Sequence, residues 1–137
     1  MSKSTSKSNK ISISFTGHDT FPLRHGWLEK AYHAIDLKHK NPFTADDAII
    51  QFGVGKNMVN AIKHWAVATN FIEKTEEGYA TTEYAQNLIK NDIDPYIENI
   101  GTIWKIHYEM CKKSTNTTPY WIFSYLNNNI IPIVCAL

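Results

Sequence analysis

The stretch Phe52-Gly53-Val54-Gly55-Lys56-Asn57-Met58-Val59-Asn60-Ala61-Ile62 decides the fold. Phe52 and Val54 flank a glycine, and an apolar repeat resumes at Val59 and Ile62. Glycine lacks the Cβ that penalises positive φ, so a sharp reversal between two helices is favoured at this point. Val59 and Ile62, three residues apart, share one side of a helix and pin it against the element before the turn. Four apolar positions and one glycine at these offsets match the helix-turn-helix pattern.

Outward from the turn, a first helix opens at Thr44, with Ala48, Ile49 and Phe52 as its buried side. Thr44 can cap it, Asp47 stands in the capping-box position, and Asp46 and Asp47 suit the positive end of the helix dipole. One position departs from the general pattern. Ile49 stands where a small residue usually lets two helices approach, with Ala48 one place earlier. The second helix is predicted over 56–70. Val59, Ile62, Trp65 and Ala66 share one face, while Lys56, Asn57, Asn60, Lys63 and His64 lie largely on another. Residues 71–82 read as a hairpin turning at Glu76-Glu77-Gly78. Thr82 then caps a third helix, with Tyr84, Ala85, Leu88 and Ile89 turned inward. The expected fold is mainly α with a small β-hairpin, a winged helix-turn-helix plus additional C-terminal helices.

Upstream, Trp27, Leu28, Ala31, Tyr32, Ala34 and Ile35 recur at helical spacing and predict a helix over 26–37. Asn41 before Pro42 closes that segment. Residues 11–15 alternate as a half-buried strand, and the polar leader MSKSTSKSNK reads as a tail. Downstream, 91–95 is a loop and 96–113 an amphipathic helix carrying Ile97, Ile100, Ile103, Trp104, Ile106 and Tyr108. Residues 114–119 break it, and a further aromatic helix starts at Tyr120. The expected organisation is a disordered tail at 1–12, a winged-helix domain at 13–95 and a C-terminal helical segment at 96–137. Residues 130–137 are almost wholly apolar, which fits either a truncated or frame-shifted end or a short strand packed on the body.

Composition narrows the function classes. The apolar fraction of 43% and the charged fraction of 20% belong to a globular chain, and the net charge of +1 exerts no strong pull on polyanions. No apolar run approaches the roughly 20 residues that cross a bilayer. Cys111 and Cys135 are the only cysteines. Without CxxC spacing they make neither a zinc site nor a disulfide framework, and with no export signal the expected location is the cytoplasm.

On the second predicted helix, Lys56, Asn57, Asn60, Lys63 and His64 are the chemistry of base-edge and phosphate contacts, so double-stranded DNA is the expected partner. Arginine, the commonest specific base reader, is absent from that helix. The hairpin opposes backbone binding. From residue 71 to 99 there are seven acids against two lysines, a net charge of −5. An acidic wing suits instead a module that docks a protein partner, and that alternative stays open.

The segment at 14–27 packs His18, Asp19, Arg24, His25 and Trp27 densely. A catalytic or metal reading would gather His18, Asp19 and His25, but adjacent His18 and Asp19 cannot easily share one ion and no third ligand has sensible spacing. Loop hydrogen bonds at His18 and Asp19, an Arg24–Asp19 pair and a Trp27 anchor fit these residues better. No catalytic residue, metal or cofactor is assigned.

The runs SFTGHDTFPLRHGWLEKAY and DDAIIQFGVGKNMVNAIKHW together resemble the opening of the domain-of-unknown-function 4007 family, over about residues 14–126. Its members typically begin with Ser-Phe-Ser-Gly-His-Glu-Thr-Phe, then Trp-Leu and Gly-Val-Gly-Lys-Asn-Met-Val. Thr16 and Asp19 stand here for that serine and glutamate. Gly17, His18, Asp19, Thr20, Phe21, Arg24 and Trp27 are thus family-motif residues without an assigned role. Family members are longer and continue past the equivalent of Tyr120-Trp121-Ile122-Phe123, which implies an N-terminal fragment. They are prokaryotic and often encoded beside DNA sulfur-modification and phage-defence genes. The resemblance therefore implies an accessory or regulatory DNA-binding protein of such a system, or a protein-interaction module within it.

Overall fold

The computed structural model describes residues 17–36, 41–44, 48–112 and 117–126. The described part is mainly helical with one two-stranded antiparallel hairpin. The predicted strand at 11–15, the tail, the Asp46–Asp47 end of the first turn helix and the apolar residues 130–137 lie outside it.

Helix α1 (Trp27–Asp36) buries Trp27, Leu28, Ala31, Tyr32 and Ala34, the face its sequence period predicts. Helix α2 (Ala48–Phe52) is a turn and a half long. It ends where Gly53 takes φ +65°, and the amides of Gly53 and Val54 both return to the Ile49 carbonyl. Lys30 of α1 donates to the Phe52 carbonyl at 3.0 Å, a cation on the negative end of α2. Ala48 and Phe52 are buried, but Ile49 is half exposed, contrary to the expectation that it faces inward. With five residues α2 has one buried side only, and Ala48 and Phe52, four apart, occupy it. The bulk at Ile49 therefore stays clear of the α2–α3 contact.

Helix α3 (Lys56–Ala68) is the central element, packed by α1, α2 and the hairpin. It stops two residues earlier than its apolar repeat predicts. Asn70 takes φ +64°, and the amides of Asn70 and Phe71 return to the carbonyls of Val67 and Ala66. That cap drives Phe71 and Ile72 into the core, where both are fully buried beside Phe52, Val59 and Ile62. Strands β1 (Ile72–Thr75) and β2 (Gly78–Thr81) pair with Ile72 opposite Thr81 and Thr75 opposite Gly78. Phe43 links the hairpin to α2, stacking on Phe52 at 5.3 Å and meeting the Tyr79 ring edge-on at 5.5 Å.

Thr82 caps helix α4 (Glu83–Ile89) as expected, its Oγ1 accepting from the Ala85 amide at 3.2 Å. The same hydroxyl donates to the Asn70 carbonyl at 2.6 Å, tying the end of α3 to the start of α4. Helix α5 (Ile100–Lys112) begins four residues later than predicted. Ile97 takes φ +56°, the Asp94 carboxylate accepts the Glu98 and Asn99 amides, and the Asn99 side chain accepts the Gly101 amide at 2.8 Å. These local bonds satisfy the chain without a helix, and Asn99 starts α5 instead. A short helix α6 (Thr117–Tyr120) runs into a π-helical turn at Trp121–Leu126, so this element starts before Tyr120 and holds Pro119 within its first turn, where proline is tolerated. Of the apolar residues predicted on α5, Ile106 is buried, whereas Ile100, Ile103, Trp104 and Tyr108 are exposed.

Candidate functional site

Helix α3 presents a polar stripe away from the core. Lys56 and Asn57 are exposed in its first turn, and Asn60 and Lys63 follow half-buried on the next two. At the N-cap, Gly55 sits in extended backbone (φ −67°, ψ 161°) and offers no side-chain cap. The first amides of α3 are thus left without a side-chain acceptor from Gly55, beside the exposed Lys56. His64 behaves differently from the other four predicted residues. It is half-buried and turned toward the loop at 17–21.

That loop lies along α3. Gly17 takes φ +138°, and a Cβ there would stand 2.7 Å from His64 Nδ1. The His18 ring stacks on Trp65 at 5.8 Å with 22° between planes and meets His64 edge-on at 5.8 Å. Trp65 Nε1 donates to the Phe21 carbonyl at 2.9 Å, a bond spanning 44 positions of sequence. Asp19 and Thr20 make the reversal between these contacts with φ of +46° and +66°, closed by the Phe21 amide donating to the His18 carbonyl at 2.8 Å. Trp27, buried, then starts α1 as expected. The motif residues Gly17, His18 and Phe21 and the α3 residues His64 and Trp65 therefore form one cluster.

Burial holds the His64 imidazole below its ordinary pKa of 6.5, neighbouring His18 adds to that, and Asp19 opposes it. His18 Nδ1 is buried without a hydrogen-bond partner among the described residues. His18, Asp19, Arg24 and His25 have different surroundings. His18 lies on Trp65, Arg24 lies 5.6 Å over the Trp27 ring rather than pairing with Asp19, and Asp19 and His25 are exposed. Among the described residues no three His, Cys, Asp or Glu side chains gather as a metal site. The hairpin carries Glu73, Glu76 and Glu77 exposed, as its sequence implies.

Sequence reading missed Trp65 as a site residue and missed the meeting of His18 with His64. Trp65 fits an apolar repeat and reads as core, and no local period relates positions 18 and 64. The only hint was that both segments are unusually rich in histidine and tryptophan.

The chain belongs to the family described as protein of unknown function (DUF4007), which matches residues 15–131. It is similar to two solved structures. One is an SspB crystal structure, at 37% identity and a TM-score of 0.65, covering 71% of this chain and 31% of that one. The other is a magnesium ion-bound SspB crystal structure, at 36% identity and a TM-score of 0.63, covering 72% and 31%. This chain thus spans about a third of the solved SspB chains it matches. No curated protein matches it. Among the described residues, no helix is long and apolar enough to cross a membrane.

Proposed function

We propose that α2, its glycine turn and α3 are a helix-turn-helix with β1–β2 as the wing, and that this winged helix binds double-stranded DNA through α3. The observation that carries the reading is the polar stripe of Lys56, Asn57, Asn60 and Lys63 on a helix with no side-chain N-cap. Lysine and helix N-terminal amides suit phosphates, and asparagine suits adenine edges. The winged helix occupies 13–95 in this reading, with 96–137 as an appended helical segment. The role is accessory or regulatory, in a cytoplasmic prokaryotic DNA-modification or phage-defence system.

Fluorescence anisotropy with labelled duplexes, titrated with salt, tests it. Lys56→Glu and Lys63→Glu are expected to weaken binding across sequences and each to reduce the log–log salt slope by about 1. Absence of a shift with any duplex at low salt, or binding indifferent to both changes, refutes it. The exposed Glu73, Glu76 and Glu77 favour a second reading, in which the hairpin docks a basic protein surface and DNA is not touched. Co-purification of a partner that is lost in Glu73→Lys/Glu76→Lys, with no duplex binding, would establish that alternative.

A further inference from the structure

The loop at 17–21 is held on α3 by contacts that a single proton disturbs. His18 stacks on Trp65 and meets the His64 ring edge-on, each at 5.8 Å, so two imidazoles share one half-buried cluster. His18 Nδ1 is buried there with no hydrogen-bond partner among the described residues. Gly17 sits so close that an added Cβ would stand 2.7 Å from His64 Nδ1. Gly17, Asp19 and Thr20 all hold positive φ, at +138°, +46° and +66°, and for the β-branched Thr20 this backbone is strained. Phe21 and Leu23 pack on the core, and the Phe21 carbonyl accepts the Trp65 indole N–H at 2.9 Å. Residues 17–20 thus have an anchor to pivot on and strain to release.

Charge sets the direction of the movement. With the loop down, a proton on His64 is disfavoured first by burial and then by His18, and the exposed Asp19 offsets them only in part. Helix α3 itself carries no acid, and Lys63 precedes the ring. On α1, which packs against α3, Lys30 is bound to the Phe52 carbonyl and Glu29 lies 3.9 Å from His33. With residues 17–20 lifted, water reaches both imidazoles and His18 Nδ1, so the lifted form takes up the His64 proton first as pH falls below 6.5. We propose that residues 17–20 are a pH-sensitive clasp on α3, shut over His64 and Trp65 at neutral pH and lifted by a proton on His64. Lifting uncovers one face of Trp65. It also returns His64 to the side of α3 that carries Lys56, Asn60 and Lys63, since the four fall at positions i, i+4, i+7 and i+8. The clasp does not depend on what α3 binds.

Heteronuclear NMR of the full chain between pH 7.5 and 5 tests it. At pH 7.5 the Gly17 α-protons are expected to show cross-relaxation with the His64 ring, and the His18 ring with that of Trp65. Both signals are expected to fade below pH 6.5. Lifting also takes the His18 carbonyl from the Phe21 amide, which it accepts at 2.8 Å. Exchange protection of that amide is therefore expected to fall, by at most about tenfold per pH unit for one proton, while the Ile62 amide within α3 stays protected. His64→Phe fills the place of the ring without a charge and is expected to keep the loop contacts down to pH 5. Ring contacts that persist to pH 5 in the natural chain overturn the proposal. So does a loss of protection at Phe21 and Ile62 together, which is unfolding of the whole domain, and so does a His64→Phe chain that still lifts on acidification. If His64→Phe does not fold, the titration of the His64 Cε1 resonance in the natural chain decides. A midpoint that coincides with the fading of the loop contacts supports the clasp, and contacts that fade at a different pH overturn it.

Discussion

Gly17→Ala asks whether the loop at 17–21 grips α3 through side-chain contact or merely passes beside it. The methyl group acts in two separable ways. At φ +138° an L residue is strained, which costs about 1–3 kcal/mol. The new Cβ would also stand 2.7 Å from His64 Nδ1 and 3.2 Å from Cε1, so the ring must move. It has little room, with His18 centred 5.8 Å away and Trp65 5.3 Å away. Displacing a packed ring costs about 1–2 kcal/mol. The sum, about 2–5 kcal/mol, is a sizeable fraction of the roughly 5–15 kcal/mol that holds a domain folded. In a His64→Ala background the contact part vanishes and the backbone part remains. Urea denaturation of the four proteins at pH 7.5, followed by tryptophan fluorescence and circular dichroism, therefore gives a coupling energy of about 1–2 kcal/mol. Additivity within about 0.5 kcal/mol would mean that the ring is not gripped, and a Gly17→Ala protein of unchanged stability would refute both parts.

Thr82→Ala removes the α4 cap and the hydroxyl that reaches the Asn70 carbonyl, and is expected to cost about 2–3 kcal/mol in the same denaturation assay, with Thr82→Ser recovering most of it. Tyr84 carries a buried hydroxyl with no hydrogen-bond partner among the described residues, so Tyr84→Phe is expected to raise stability by about 1 kcal/mol; a loss would show that the hydroxyl is used. Burial first, then Glu109 and Asp94, push the Tyr84 phenol up to about 12, and the spectrophotometric titration is expected to lose its latest-ionising tyrosine in that variant. His64 is lowered below 6.5 by burial, so the unfolded chain takes up its proton first. Its contribution is complete above 6.5, is lost as pH falls from there through the lowered value, and is flat beneath it. His64→Gln is expected to flatten stability over that window, and an unchanged pH slope would contradict the assignment.

The helices and hairpin were legible because each has a local cause. Gly53, the apolar offsets around it and the Thr82 cap all act within one or two turns of chain, and all are found where the sequence puts them. The expectations that shifted involve competing local bonds or surfaces. Asp94 and Asn99 capture backbone amides that a periodic pattern assigns to α5, and Asn70 ends α3 by adopting a left-handed conformation within a stretch that still reads as helical. Periodicity also says which side of a helix is apolar without saying that the side is covered, so α5 looks like core and is surface. The cluster of His18, His64 and Trp65 was illegible for another reason. It is made by a turn at 17–21 folding across α3, and neither segment encodes its partner locally.

The cluster changes what α3 can offer a ligand. His64, read at first beside the four other polar residues, belongs to the loop contact and has its ring engaged by Gly17 and His18. The outward set shrinks to Lys56, Asn57, Asn60 and Lys63. Two lysines neutralising two phosphates give a log–log salt slope near −2 by the counterion-release relation, shallow beside the slope of about −10 that a strongly electrostatic repressor shows. The acidic hairpin cannot add to it. In the proposed reading, non-specific attraction to DNA is therefore weak, and affinity has to come from base-edge contacts by Asn57 and Asn60, each good bidentate pair worth about 1–3 kcal/mol, or from surfaces outside α3. A measured slope much steeper than −2 would place the main phosphate contacts elsewhere on the molecule.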